Sequence, residues 1–163
     1  MRTNQSMITL FFTLSFATVI CHTAYAEQPV TLIGTIVKWR YPDAEIGQSE
    51  MSDGATIASD GKRTIPSSVL KTTMVTTDSV EDVLEFYRDL LTRNQTNDQK
   101  LGIGPLVGRS VVFSDESNGR PFAFHTILVN SENTSTTLIV TRGVDERQTR
   151  ITWKQYLKHE VGG

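Results

Sequence analysis

Four β-type runs crowd the last third of the chain, joined by links too short for a crossover, and this constrains the fold more than anything else in the sequence. They are Ser110–Ser114, Phe122–Val129, Thr136–Arg142 and Thr149–Leu157. Asn118-Gly119 marks a turn between the first two, Ser131-Glu132-Asn133 lies between the next two, and Asp145-Glu146 marks the last connection. Parallel neighbours need a crossover of a dozen or more residues, so such short links predict antiparallel pairing. Just upstream, Val80, Val83, Leu84, Tyr87, Leu90 and Leu91 recur three and four residues apart, the stripe of an amphipathic helix from Ser79 to about Thr92. Asp78 with Glu81, or Ser79 with Asp82, supplies the oxygen pattern that caps a helix start, and Arg93 suits its C-terminal end. The predicted fold class is α+β: a mainly antiparallel sheet of about four to six strands with one principal amphipathic helix packed on one face.

The preceding half is less regular. Residues 30–41 alternate, with Val37, Trp39 and Tyr41 on one side and Lys38 and Arg40 on the other, and read as a half-buried strand stopped by Pro42. Residues 43–68 read as a polar excursion containing a small hairpin, because Asp53-Gly54 and Asp60-Gly61 bracket the short run Ala55–Ser59. Val69–Thr76 is β-branched and reads as a strand. The expected core is Val80, Val83, Leu84, Tyr87 and Leu91 against Val112, Leu138, Val140, Ile151 and Trp153.

Residues 1–26 have the form of an export signal. Arg2 gives a positive start, Met7–Ile20 is an apolar and hydroxyl run, and Ala24-Tyr25-Ala26 is a small-x-small cleavage pattern. The run is shorter than the roughly 20 residues needed to span a bilayer. Lipid attachment at Cys21 would want a small residue before the cysteine, where Ile20 stands, so cleavage after Ala26 is the expectation. Residues 27–163 would then form a single domain with no transmembrane segment. It would keep 15 of the 16 Lys+Arg against all 18 Asp+Glu, and lose the only cysteine. A net negative charge gives no general attraction for nucleic acid. Without a thiol, disulfides, thiolate metal sites and cysteine nucleophiles are excluded. An exported chain with no disulfide points to a bacterial periplasmic or secreted protein.

The segment Tyr41-Pro42-Asp43-Ala44-Glu45, then Thr76-Thr77-Asp78-Ser79-Val80-Glu81-Asp82-Val83 and Phe86-Tyr87-Arg88, resembles a pattern of uncharacterised exported bacterial proteins. In them a "YPGAE"-like segment precedes a strand, a "T-x-DS-V-x-x-V…FY" helix and a small sheet. The resemblance covers about residues 40–93 and implies the fold, with no known activity. Asp43 stands where glycine is usual.

His125 shares a strand face with Ala123, Ile127 and Val129, as a core-edge histidine would, and His159 lies in a C-terminal tail that should fray. Neither has a partner at a metal-ligand spacing, so no metal is expected. There is no G-x-S-x-G elbow and no H-E-x-x-H. Glu81, Asp82, Glu85 and Asp89 fall on the helix's polar face, a solvated setting that does not raise a carboxyl pKa. Gly102-Ile103-Gly104-Pro105-Leu106-Val107-Gly108 has neither phosphate-loop spacing nor a helix after it. Lys38-Trp39-Arg40-Tyr41 and Arg150–Tyr156 set aromatics beside cations, either as a stacking surface or as core rings flanked by solvated charges.

The sequence thus reads as an exported, non-catalytic binding or protein-interaction module without a cofactor, its partner an exported protein or an envelope glycan. Two alternatives stay open. One is a small hydrolase or ligand-processing enzyme using His125 with a carboxylate. The other is a glycan-binding module using exposed aromatics. The candidate ligand-binding residues are Trp39, Tyr41, His125 and Trp153.

Overall fold

The computed structural model describes residues 31–57, 63–92, 101 and 109–159. The expected signal (1–26), Asp60-Gly61, Arg93 and the Gly102–Gly108 connection lie outside the described residues. In chain order the described elements are α1 (Leu32–Trp39), β1 (Glu45–Ile57), β2 (Arg63–Thr76), α2 (Val80–Leu90), β3 (Ser110–Asp115), β4 (Phe122–Asn130), β5 (Thr134–Gly143) and β6 (Thr149–Lys158). The six strands form one antiparallel sheet in the order β1-β2-β6-β5-β4-β3. The fold is therefore α+β, with the four later strands and α2 where the sequence puts them. No described helix is long and apolar enough to cross a membrane.

α2 forms because its ends are satisfied as well as its apolar face. The Ser79 hydroxyl accepts from the Asp82 amide at 3.1 Å, and the Asp82 carboxylate accepts from the Ser79 amide at 3.2 Å. Of the two capping pairs open in the sequence, this is the one used. The turns also fall on their signals: Gly119 has φ +76°, and the Ser131 amide donates to the Thr134 carbonyl at 2.8 Å.

Residues 32–39 are a helix and not the strand their alternation suggests. Leu32, Ile36 and Trp39 stand at i, i+4 and i+7, with Ile36 and Trp39 buried and Leu32 packed against the core. Thr31 caps the start by accepting from the Gly34 amide at 3.1 Å. The β-branched residues and the exposed Ile33 and Val37 hide this stripe in an apolar background.

The 43–68 excursion is larger in the structure than a polar loop. Most of it forms β1 and the start of β2, a long hairpin whose outer rungs run past the end of β6 at Lys158. Asp53-Gly54 is not a turn; it pairs with Ser68 and Ser67. A Cβ on Gly54 would sit 2.8 Å from the Ser67 hydroxyl, so the glycine serves close approach between strands.

Both helices cover one face of the sheet. Leu70, Met74, Ile127, Val129, Leu138, Val140, Ile151 and Trp153 point toward them and form one core with Trp39, Val80, Val83, Leu84, Tyr87 and Leu91. Val112 is the exception to the expected core: it is 51% exposed on the opposite face, while its neighbours Val111 and Phe113 pack inward. Three successive apolar residues leave strand alternation undecided, and a one-residue shift swaps the faces. His159, expected to fray, is anchored: its Nε2 lies 2.7 Å from the Ser68 hydroxyl, and its backbone amide donates to the Pro66 carbonyl at 2.9 Å.

Candidate functional site

The four candidate residues do not converge on an open site. Trp39 and Trp153 are 0% exposed, with ring centroids 6.4 Å apart inside the core. Tyr41 is 6% exposed and stacks edge-on against Phe86 at 5.1 Å. Its hydroxyl donates to Asp78 Oδ2 at 2.7 Å. Burial and the Asp78 carboxylate together push the Tyr41 phenol up to about 12. A stacking platform for sugars needs rings that solvent can reach, and these three offer none.

Tyr41 and Asp78 instead belong to a structural junction. The Asp78 carbonyl accepts from the Thr149 hydroxyl at 2.6 Å and from Arg142 Nη1 at 3.1 Å. The Tyr87 hydroxyl donates to the Trp39 carbonyl at 2.9 Å, closing the C-terminal end of α1 onto α2. Asp43 has φ +55°, the left-handed backbone in which glycine is least strained. The two halves of the sequence pattern are thus brought together to join α1, α2 and β6.

His125 sits on β4, between the edge strand β3 and β5, its side chain 17% exposed. Its Nδ1 lies 3.6 Å from Oδ1 of Asp115, the residue directly opposite on β3. Hydrogen bonds from Ser117 hold the Asp115 carboxyl below its usual range, with a smaller contribution from His125. The Ser117 hydroxyl lies near the Phe124 backbone and on the carboxylate's side of the pair. A relay that activates a hydroxyl needs the imidazole between hydroxyl and carboxylate. Here the carboxylate is in the middle, and among the described residues no hydroxyl hydrogen-bonds to the imidazole. Nor do three His, Cys, Asp or Glu side chains gather into a metal-holding group among the described residues.

The opposite face of the sheet carries the more distinctive surface. One cross-strand row runs Glu50, Lys71, Lys154, Thr137, Leu128, Val112 through all six strands. Lys71 and Lys154 are exposed and directly opposite each other, while Leu128 and Val112 are 38% and 51% exposed. The adjacent row reads Thr73, Thr152, Ile139, Thr126, Ser114, and the next contains Arg150, Thr141 and Phe124. Arg120 lies over the Phe124 ring at 4.6 Å and the Phe122 ring at 5.9 Å. The sequence signal for this face is the outward half of each strand's alternation.

Comparison with protein-family models, with curated proteins and with solved structures gave no match.

Proposed function

We propose that this chain is an exported bacterial binding module, non-catalytic, that engages a partner protein through the open face of its sheet. The observation that carries the reading is the division of the sheet: two helices cover one face, and the other exposes Val112, Leu128, Lys71 and Lys154 in a single row. Exposed apolar groups cost little singly, but an apolar patch flanked by polar and charged groups on a rigid sheet suits a protein interface, with the charges at its rim. Export rests on the N-terminal pattern and predicts a mature chain beginning at Glu27.

Two measurements test this. Fractionation of a producing bacterium with N-terminal sequencing should find Glu27 first outside the cytoplasm; an uncleaved cytoplasmic chain contradicts export. A thermal-shift screen with sugars, nucleotides, fatty acids, peptidoglycan fragments and metals should leave the melting temperature unmoved. A ligand at about 100 times its dissociation constant adds roughly 2.7 kcal/mol, so a small-molecule site would register clearly and overturn the reading.

A second reading, a hydrolase using His125, draws on the 3.6 Å pair with Asp115. It predicts ester hydrolysis that His125→Ala abolishes.

A further inference from the structure

We infer that the open sheet face docks an acidic, amphipathic segment of a partner protein, a conclusion that rests on the binding-module reading and names the partner's chemistry. Like charges directly opposite on neighbouring strands destabilise a sheet, and Lys71 and Lys154 face each other in the middle of this one. Glu50 stands opposite Lys71 on the outer side, which leaves Lys154 without an acid beside it in that row. Arg150, four residues before Lys154 on the same strand, adds a third exposed cation to the face. A carboxylate-bearing partner relieves this repulsion.

The other end of the row fixes the rest of the partner's character. Thr137 separates the lysines from Leu128 and Val112, so charge gives way to aliphatic surface across the sheet. From β2 to β3 is four strand spacings, about 19 Å at 4.8 Å each. A helix rises about 1.5 Å per residue, so roughly 13 residues span that distance. The matching segment carries acids toward one end and aliphatic side chains toward the other. A nucleic acid or anionic glycan matches the lysines but not the aliphatic end, and the Phe122 and Phe124 rings that could stack on it lie beneath Arg120.

A second copy of the chain fits poorly among the described elements. α2 exposes Glu81, Glu85 and Asp89, but its aliphatic stripe is already buried in its own core. α1 exposes Ile33 and Val37 but contains no acid.

The test titrates the full purified chain with four labelled 13-residue peptides: acidic amphipathic, basic amphipathic, acidic without aliphatics, and neutral amphipathic. A sulfated polysaccharide is run beside them. Binding is read by anisotropy, and its location by amide chemical shifts. The acidic amphipathic peptide should bind tightest and move amides of β2, β6, β5, β4 and β3. Lys154→Glu, which sets an opposite charge across from Lys71, and separately Leu128→Thr should each weaken it by about tenfold or more while the chain still unfolds cooperatively, because both side chains are exposed. Tightest binding by another peptide class on this face overturns the acidic partner but leaves the binding module standing. Tightest binding by the polysaccharide overturns the protein partner. No binding by any probe overturns both this inference and the module reading.

Discussion

At Tyr41 one hydroxyl joins two stretches of sequence that are 37 residues apart, and the cost of removing it is open to measurement. A hydrogen bond to a charged acceptor contributes about 1.5–3 kcal/mol, so Tyr41→Phe should lose about that much in urea unfolding, with the ring's packing on Phe86 retained. Burial of the phenol, together with this contact, makes stability pH-dependent. Because the folded phenol titrates near 12 and the unfolded one near 10, its contribution is complete below 10 and declines as the pH rises through this window. Tyr41→Phe should remove that decline; an unchanged alkaline profile would show that the phenol is not enclosed beside Asp78. Two residues further on, Asp43 occupies a left-handed backbone at φ +55°. Asp43→Gly should be neutral or stabilise by up to about 1 kcal/mol, whereas Asp43→Val should destabilise. The resemblance pattern was readable as residues, but its meaning was not: spacing along the chain carries no sign that Tyr41 and Asp78 touch.

Elements were legible where local chemistry and burial agree. α2 has both its stripe and its capping box, and Ser79→Ala should cost about 0.5–2 kcal/mol while Ser79→Gly costs only a few tenths, as thermal unfolding would show. The Ser79 hydrogen bonds also hold the Asp82 carboxyl below its usual range, so this cap contributes above ordinary carboxylate titration and is lost as the pH falls through it. α1 shows the opposite case. Its residues Ile33, Thr35, Ile36 and Val37 favour strands, and the alternation around Lys38 and Arg40 fits one, yet Thr31 and the buried Ile36–Trp39 pair make it helical. Tertiary burial of Trp39 against Trp153 decides the matter, and no window of the sequence contains both rings. The β1–β2 hairpin was hidden for a related reason. Its polar residues pair by backbone and hydroxyls, such as Ser49 with Thr72 at 2.8 Å, and so lack an apolar alternation.

At the scale of the whole molecule, the sheet separates what folds the chain from what it offers to a partner. Trp153→Ala should cost about 3–5 kcal/mol because the ring is fully enclosed, whereas Val112→Ser on the open face should change stability by no more than about 0.5 kcal/mol. The aromatics that resemble a ligand site in the sequence serve the core, and the surface proposed for binding lies in the outward half of each strand's alternation, which a buried-face pattern does not mark. The central claim is that division, and the two tryptophans report on it directly, since the chain has only these two. Acrylamide quenching of intrinsic fluorescence is the measurement to make. Both rings being enclosed, quenching should be weak in the native protein, should rise sharply in denaturant, and should be unchanged when an acidic amphipathic peptide binds the far face. Strong quenching of the native chain, relieved by a sugar ligand, would put Trp39 or Trp153 at the surface and contradict the division of the sheet.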